Sequence, residues 1–514
     1  MKTLALGLIV LILGIFTACG GGGMSSTTNP PPPPPPPPRT VNASITVEST
    51  KNGPFNVAMS TSFQPAEWDD TFFQDFPNAT TPLGNLDPHH IRLQGISQGV
   101  PQTTPSSWNF SVLDAITQPV LGVGDHSPEF QVAKAPAFMY TNNDANSFTD
   151  KFLDPTYGSF AAYAANLVAY YNSGGFTSLD NVFHVSPAYP NEKITWWGIY
   201  NEPSINNFTT QTSPTPDLDY TNMYNKVVPA MHGIDPNIKF VALELCCGSE
   251  NWVQTFAANV TTQVDAVATH YYSICAPASD YTDAQVFSTV PSFAASIQTI
   301  YGYLSSNAAL STVPVWVTEN NVNADFNAGN GMSACTGKAF VLDQRGSSPF
   351  FAAWRPYVFS QVGQAGAQAL YHWDFGADQQ YGEMNASNGQ LQLSYWVDYW
   401  LGQMFPAGSG QLLLLSKNSD IADIEVLAVE NADGSVVVMI SNHAVASATD
   451  NNGAGLTADI SLDTSALGSF NSASEVVIDS STSASTGPSP ASISPGSPIK
   501  LSLNGYSVAF IKLQ

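Results

Sequence analysis

Eight short apolar segments, most of them ending at polar residues, recur along the first three quarters of the sequence and constrain its fold more than any other feature. They lie at 57–62, 91–93, 135–139, 195–200, 239–245, 264–270, 313–318 and 367–373. Amphipathic stretches with helical spacing separate or follow several of these segments, at 160–171, 220–231, 290–304, 350–362 and 395–404. Strands that alternate with helices in this way predict βαβ units and a parallel sheet.

The number of these units favours a closed barrel over an open, doubly wound sheet. A (β/α)8 barrel has eight strands and carries functional residues at their carboxyl ends, where polar residues follow these segments. No glycine-rich phosphate-binding loop follows the first segment, which argues against the open nucleotide-binding alternative. We therefore predict an α/β chain whose residues 41–408 form a (β/α)8 TIM barrel.

The pattern changes after residue 408, where helical spacing ends. Strand-like runs separated by turns follow at 411–416, 424–429, 435–441, 456–462, 475–479 and 506–513. The Asn-Ala-Asp-Gly sequence at 431–434 favours a hairpin turn. We predict a C-terminal all-β sandwich domain over residues 409–514, to which residues 43–48 are a candidate additional strand.

The amino-terminal residues predict export. A basic start is followed by an apolar run at 4–16, which is short for a membrane span and leads into Phe-Thr-Ala-Cys-Gly at 16–20. This sequence resembles the lipobox of bacterial lipoproteins and implies a lipoprotein signal peptide at 1–19, with a lipid on Cys19. An ordinary secretory signal is the alternative. The predicted location is the bacterial cell envelope or surface, or the secreted fraction.

Residues 20–40 predict a tether rich in Gly, Ser and Pro. Its nine consecutive prolines favour polyproline II, which is extended and stiff, so the segment would hold the folded part away from a membrane. The whole chain carries 15 Lys and Arg against 40 Asp and Glu, a formal net charge of −25. Such an acidic chain repels phosphate backbones, so we expect no nucleic-acid partner. We also expect the protein to be a monomer.

Four cysteines remain beside Cys19: Cys246, Cys247, Cys275 and Cys335. An even number in an oxidising compartment indicates disulfides, and the pairing among the four stays open. Because adjacent cysteines form an awkward bridge, the sequence favours links from Cys246 and Cys247 to Cys275 and Cys335. A metal site is the alternative, but no histidine spacing supports it, and we predict neither a metal nor a cofactor.

Two of the apolar segments deliver a glutamate to the end of a predicted strand. The fourth leads into Asn201, Glu202 and Pro203, and the seventh leads into Glu319. These two strands lie across the barrel mouth from each other, so the carboxyls should meet. Cleavage of a glycosidic bond needs such a pair, one carboxyl protonated to assist the leaving oxygen and one ionised to attack the anomeric carbon. Asn201 would then donate to the sugar 2-hydroxyl.

The pair of motifs resembles glycoside hydrolase clan A, closest in style to family 39, with families 5, 30 and 79 as alternatives. The resemblance covers residues 45–408. It implies a retaining hydrolase that cleaves O-glycosidic bonds of a plant- or microbe-derived poly- or oligosaccharide, with Glu202 as general acid/base and Glu319 as nucleophile. Xylan, glucan, mannan and uronic-acid polymers are all compatible substrates.

The same resemblance assigns further substrate-binding residues. Arg92 follows the second strand, where the clan places an arginine that steadies the nucleophile, and Trp373 ends the eighth strand, where it places a sugar-stacking tryptophan. His270 and Tyr272 end the sixth strand. Since residues two apart share a face of a strand, both should point into the barrel.

Two other functions remain as alternatives. The Gly-x-Ser-x-Gly match around Ser97 suggests a serine esterase, but Pro101 and polar residues stand where the required helix should start. A non-catalytic polysaccharide-binding lipoprotein would lack a catalytic carboxylate, and none is missing. Glutamates without such neighbours, namely Glu67, Glu129, Glu192 and Glu383, are interpreted as solvated loop carboxylates, and Glu244 as a candidate for lining the cleft.

Overall fold

The structure is a computed structural model, and it describes residues 40–63, 71–86, 91–95, 100–123, 128–143, 150–210, 212–246, 248–408, 410–418 and 422–514. Residues 39–514 form one compact unit. Several sequence-based predictions concern positions outside the described residues: the signal peptide, the tether up to residue 39, Cys19, Glu67, Ser97 and Cys247.

The first described strand, β1 (Val41–Phe55), belongs to the C-terminal sheet, and eight of the later strands close into a parallel barrel. The barrel strands are β2 (Ala58–Phe63), β3 (Ile91–Gly95), β4 (Glu129–Val132), β5 (Trp196–Ile199), β6 (Lys239–Leu245), β7 (Ala266–Ile274), β8 (Val315–Asn323) and β9 (Ala369–His372). β9 pairs with β2 and closes the barrel. The predicted (β/α)8 fold is confirmed.

Helices follow the barrel strands and cover the barrel. They are α1 (Phe72–Asp75), α2 (Thr80–Asn85), α3 (Ser111–Leu121), α4 (Gly158–Asn172), α5 (Pro216–His232), α6 (Asn251–Asn259), α7 (Asp283–Ser288), α8 (Val290–Leu304), α9 (Pro349–Gln364) and α10 (Leu393–Met404). Short 3-10 helices occur at Pro77–Ala79, Ala137–Met139, Ala278–Asp280, Gln344–Gly346 and Ser465–Leu467. None of the helices in the described ranges has the length and hydrophobicity needed to cross a membrane.

The prediction of the third barrel strand at 135–139 is wrong. The strand is β4 at Glu129–Val132, and Ala137–Met139 is a 3-10 helix. Pro136 explains the difference because proline has no N–H for a strand ladder and is excluded from the middle of a sheet. The true strand carries Glu129 and Gln131, whose polar side chains made it resemble a loop but are fully buried inside the barrel.

The C-terminal region forms one sheet of nine strands. After β1 its members are β10 (Gly410–Lys417), β11 (Ile424–Glu430), β12 (Val436–Asn442), β13 (Ala458–Asp463), β14 (Ala473–Ile478), β15 (Ala491–Ile493), β16 (Ile499–Leu503) and β17 (Ser507–Leu513). Their order is β15-β14-β17-β12-β11-β10-β1-β13-β16. Ala473 and Leu501, from strands near opposite ends of this order, share one hydrophobic core. The sheet therefore folds over on itself, as in a sandwich.

The other face of this sheet packs against the barrel helix α9. In β12, Val437 and Met439 join the barrel core, whereas Val438 and Ile440 join the core of the sheet. This division follows from the alternation of side chains along a strand. The Ser441 hydroxyl also donates to a backbone carbonyl in α9 at 2.7 Å. Both faces of the central strands are therefore buried.

Cys275 forms a disulfide with Cys335, with 5.7 Å between their Cα atoms. The prediction that Cys246 and Cys247 pair with these two cysteines is therefore wrong. Cys275 follows β7 and Cys335 lies in the loop after β8, so the parallel pairing of these two strands brings the cysteines together. Cys246, which follows β6, is also disulfide-bonded.

A glycine in α9 is needed for the contact between this helix and the start of the barrel. A Cβ on Gly363 would lie 2.4 Å from Phe55 Cε2 and 2.6 Å from Val57 Cγ2. We expect Gly363→Ala to lower the midpoint of thermal unfolding, because overpacking costs about 1–3 kcal/mol. This cost exceeds the gain in helix propensity, which is at most about 1 kcal/mol.

Gly302→Ala in α8 is the matched control. Gly302 is exposed, and a Cβ added there would have no heavy atom within 4 Å outside its own helix backbone and chain neighbours. The alanine should therefore raise the midpoint through helix propensity alone. If thermal unfolding shows both variants shifted in the same direction, a steric requirement for glycine at position 363 is refuted.

Candidate active site

The carboxyl ends of the barrel strands bring Glu202 and Glu319 together. Glu202 follows β5, the fourth barrel strand, and Glu319 lies in β8, the seventh. One oxygen of each carboxyl and one ring nitrogen of His270 lie within 4.8 Å of one another. The side chains of Glu202 and Glu319 are 17% and 7% exposed, so solvent reaches both of them.

The backbone around Glu202 has an uncommon conformation. Tyr200 and Glu202 have positive φ angles of 69° and 47°, and so do Leu243 and Glu244 at the end of β6, with 78° and 47°. Residues other than glycine adopt this region at a cost, and such positions cluster at functional sites. The Glu202 N–H donates to the Glu244 carbonyl at 3.0 Å, which links the two turns.

His270 of β7 lies between the two carboxyls. Its Nδ1 is 2.9 Å from Glu202 Oε1 and 3.5 Å from Glu319 Oε2, and its Nε2 is 3.3 Å from Glu244 Oε2. Ionised carboxylates only accept hydrogen bonds, so both ring nitrogens are placed to donate. Burial opposes the charged ring, but the carboxyls of Glu319, Glu202 and Glu244 raise the pKa of His270 to about 9.

Arg92 of β3 is fully buried and connects Glu319 to Asn201. Its Nη1 is 3.0 Å from Glu319 Oε1, and its Nη2 is 3.1 Å from Asn201 Oδ1 and 3.3 Å from Glu244 Oε2. Asn201 Oδ1 also accepts from Gln131 at 2.9 Å. This orients the Asn201 amide so that its NH2 group makes no hydrogen bond within the described ranges and is available to a ligand.

Aromatic side chains complete the site. The Tyr272 hydroxyl donates to Glu319 Oε2 at 2.9 Å, and burial raises the pKa of Tyr272 well above its usual value, which keeps it a neutral donor. Trp373, after β9, is 8% exposed, and its ring centre lies 6.5 Å from that of Tyr272. His270 and Tyr272 both contact Glu319, as the period of two predicts.

Glu319 is therefore a buried carboxylate surrounded by donors. Burial raises its pKa above the usual range, whereas the charges of His270 and Arg92 oppose this shift. Arg92, Tyr272 and His270 reach its oxygens from two other barrel strands, β3 and β7. All seven predicted site residues lie in one connected group, which consists of Glu202, Glu319, Arg92, Asn201, His270, Tyr272 and Trp373.

The interpretation of Glu129 and Glu383 as solvated carboxylates is wrong, since both are buried. Glu129 lies in β4, with its Oε1 4.0 Å from Arg92 Nε, and Glu383 accepts a hydrogen bond from Thr61. Glu192 is exposed. A usable signal for Glu129 was its spacing: Glu129 and Gln131 alternate with apolar residues, a pattern typical of a strand with one polar face.

The sequence made Glu244 a candidate for lining the cleft, but the residue lies beneath Glu202 and Glu319. It is fully buried and contacts Arg92, His270 and the Thr318 hydroxyl through Oε2. Burial opposes ionisation, but these partners lower the pKa of Glu244 to about 2. It therefore carries a negative charge below the carboxyls of Glu202 and Glu319.

Among the residues that the structure describes, two groups of side chains have the composition of a metal site: Glu202, His270 and Glu319, and the buried set His372, Glu383 and Asp398. In each group the ring nitrogen is within hydrogen-bond distance of a carboxylate, at 2.9 Å from Glu202 and 2.8 Å from Asp398. Asp398 also pairs with Arg355 at 2.8 Å. A metal would have to displace these contacts, and beside Arg355 it would meet a like charge.

Two buried histidines, His270 at the candidate active site and His443 beside the C-terminal sheet, should differ in charge. Burial lowers the pKa of His443, whose ring stacks on Tyr357, to about 4, whereas the pKa of His270 is about 9. Nitrogen-15 NMR of the side chains between pH 5 and 8 should therefore show a protonated His270 and a neutral His443, neither of which titrates. A midpoint near 6.5 for His270 would contradict the ion-pair geometry.

Comparison of the sequence with known proteins finds no match among protein-family models and none among curated proteins. Solved structures match in fold. A monomeric β-xylosidase from Caulobacter crescentus CB15 is 14% identical, with a TM-score of 0.62, and the match covers 92% of this chain and 99% of that one.

Two further matches each cover 92% of this chain and all of the other. They are the catalytic domain of family 30 xylanase C from Talaromyces cellulolyticus, at 17% identity and a TM-score of 0.58, and the family 51 arabinofuranosidase from Xanthomonas axonopodis pv. citri, at 11% and 0.60. A family 39 β-xylosidase from Caulobacter crescentus also matches. At these identities the likeness establishes the fold, and this chain has the barrel-and-sheet architecture of solved glycoside hydrolases.

Proposed function

We propose that this chain is a retaining glycoside hydrolase with Glu319 as nucleophile and Glu202 as general acid/base. One observation carries the proposal: a carboxyl oxygen of Glu202 lies within 4.8 Å of a carboxyl oxygen of Glu319. Retaining enzymes place their two carboxyls about 5–5.5 Å apart, whereas inverting enzymes need roughly 6.5–9.5 Å to accommodate a water molecule. The short separation therefore favours double displacement.

In the first step, the Glu319 carboxylate bonds to the anomeric carbon while the glycosidic C–O bond breaks and the Glu202 proton passes to the leaving oxygen. Arg92 and Tyr272 hold the Glu319 oxygens through separate hydrogen bonds, which limits their rotation. As Glu202 gives up its proton, His270 Nδ1, 2.9 Å away, stabilises the new carboxylate.

In the second step, the Glu202 carboxylate takes a proton from water as the water oxygen bonds to the anomeric carbon and the bond to Glu319 breaks. The product keeps the original anomeric configuration. The NH2 group of Asn201, which has no hydrogen-bond partner among the described residues, is placed to donate to a sugar hydroxyl, a contact that strengthens as charge develops on the sugar ring. Trp373 offers an apolar ring face for the sugar.

The proposed substrate is an O-glycosidic bond in a plant- or microbe-derived poly- or oligosaccharide. The similar structures include a xylanase, a β-xylosidase and an arabinofuranosidase, which makes pentose-containing glycans the first class to test. Aryl pentosides and aryl hexosides, compared by kcat/KM, separate these classes. No metal or cofactor is part of the proposed reaction.

Replacing the proposed nucleophile should stop turnover, and added azide should restore it. In Glu319→Ala we expect kcat to fall by roughly 10⁴-fold or more, because the covalent route is lost. Azide can occupy the space of the missing carboxylate and attack the anomeric carbon directly. Turnover of an aryl glycoside should then recover, and NMR of the product should show a glycosyl azide of inverted configuration.

Glu202→Ala is the matched variant on the opposite side of the sugar. An aryl glycoside with a good leaving group still forms the glycosyl-enzyme, which then accumulates because no base activates water. Azide should release it as a glycosyl azide of retained configuration. The exposed Glu192→Ala is the control and should behave as the parent does. Identical product configurations from the two site variants would refute the assignment of roles.

We also propose that the protein is exported and anchored through a lipid on Cys19. Support comes from the sequence, in which an apolar run precedes Thr-Ala-Cys-Gly and a proline-rich tether follows. Cells that make the full chain and are fed labelled palmitate should incorporate the label into the protein, and Cys19→Ser should abolish incorporation. Equal labelling of the parent and the variant would contradict anchoring at this residue.

A further inference from the structure

Two buried glutamates face each other beneath the proposed active site. Glu129 belongs to β4 and Glu244 to β6, and Gly198 of β5 lies between them. A Cβ on Gly198 would lie 2.7 Å from Glu244 Oε1 and 3.1 Å from Glu129 Oε1. Both oxygens therefore use the space that the missing side chain leaves. Neither residue is exposed to solvent.

If both carboxyls were ionised, their facing oxygens would lack donors. Glu129 Oε1 and Glu244 Oε1 have no hydrogen-bond partner among the described residues. Two buried anions without a donor between them would be strongly destabilising, since each would lose its hydration without replacement. A proton on one carboxyl supplies the missing donor and removes one of the two charges.

The surroundings decide which carboxyl carries the proton. Glu244 Oε2 lies within hydrogen-bond distance of donors on Arg92, His270 and Thr318, whereas the nearest cationic atom to Glu129 is Arg92 Nε at 4.0 Å. Burial and the charge of Glu244 raise the pKa of Glu129 well above its usual value. The charge therefore belongs on Glu244 and the proton on Glu129.

We infer that Glu129 is a neutral carboxylic acid that donates a hydrogen bond to Glu244 across Gly198, and that ionised Glu244 is a positioning residue for the site above. Glu244 Oε2 contacts His270 Nε2 and Arg92 Nη2. The other nitrogens of these two side chains contact Glu202 and Glu319. Glu244 thus acts on the proposed reaction only through His270 and Arg92.

This arrangement also balances charge. The cations Arg92 and His270 face the carboxyls of Glu202, Glu244 and Glu319, and Glu129 lies below them. The proposed reaction starts with Glu319 ionised and Glu202 protonated. With Glu129 neutral, two positive charges then meet two negative charges, and an ionised Glu129 would leave one buried charge unpaired. This charge balance rests on the proposed function, because it takes Glu319 as ionised and Glu202 as protonated. The hydrogen bond between Glu129 and Glu244 does not depend on the proposed function.

Infrared spectroscopy of the full chain tests the protonation of Glu129 without a substrate. The spectrum of the parent minus that of Glu129→Gln at pH 7 should show the carbonyl band of a carboxylic acid and no carboxylate band. Glu192→Gln is the control, and its exposed side chain should give a carboxylate band instead. A carboxylate band in the Glu129 difference spectrum would overturn the inference.

Nitrogen-15 NMR of His270 tests the positioning role of Glu244. The carboxyls that face this ring are Glu202, Glu244 and Glu319, and Glu129 is not among its contacts. Glu244→Gln should lower the pKa of His270 by roughly one unit or more, because Nε2 loses an ionised acceptor. Glu129→Gln should leave it near the parent value. An unchanged His270 in Glu244→Gln would overturn the positioning role.

Activity measurements separate positioning from a general structural effect. Glu244→Gln should reduce kcat by roughly tenfold or more with little change in KM and shift the pH profile, whereas Glu244→Asp, which keeps the charge, should restore part of both. A loss of kcat in both variants without any change in the pH profile would refute positioning. If no glycoside is turned over even by the parent, the proposed function fails while the infrared and NMR results still decide the shared proton.

Should Glu244→Gln fail to fold, Gly198→Ala provides a second test. Its methyl group would enter between the two carboxyls and separate the acid from its acceptor. The acid carbonyl band should then shift relative to the parent, whereas Gly302→Ala should leave it in place. A band unaffected by Gly198→Ala would refute the contact between Glu129 and Glu244.

Discussion

The site depends on one electrostatic constraint: two cations buried inside the barrel must be paired with carboxylates. Arg92 has no exposed surface, and an unpaired guanidinium there would be prohibitively costly. Its nitrogens reach Glu319, Glu244 and Asn201, which lie on or after three other barrel strands. His270 completes the network from a fourth. The closed barrel makes this possible because its strands direct alternate side chains into one dry interior.

Helix α9 connects the C-terminal sheet to the strand that carries Glu319. On one side this helix packs against the C-terminal sheet, and Gly363 allows it to approach Phe55 and Val57. On the other, Arg355 bonds to Asn320, which adjoins Glu319 in β8, and to Asp398 of α10. The backbone that carries Glu319 is therefore held by a side chain from the helix that also contacts the sheet. The Cys275–Cys335 disulfide joins the end of β7 to the loop after β8.

The local sequence pattern predicts the strands correctly where it agrees with their burial. Seven of the eight predicted strands correspond to barrel strands, because runs such as those around Trp197 and Val317 are apolar on both faces, as parallel strands between core and helices require. The residues around Glu202 and Glu319 could be paired because strand number alone predicts which strands face each other. The prediction from local sequence is wrong at β4, because its buried polar residues give it the composition of a loop. It is also wrong at the cysteines, because strand pairing decides which of them are close.

The alternation of strands and helices, the change to an all-β region and the two glutamates at strand ends follow from the amino-acid sequence alone, since these features depend on periodicity and on neighbours along the chain. The folded barrel was needed to show that Glu129 and Glu383 are buried, that Glu244 lies beneath Glu202 and Glu319, and which charges face one another. A carboxyl has the same sequence context whether it faces water or an arginine. Its environment is set by strands distant in sequence, and closure of the barrel brings them together.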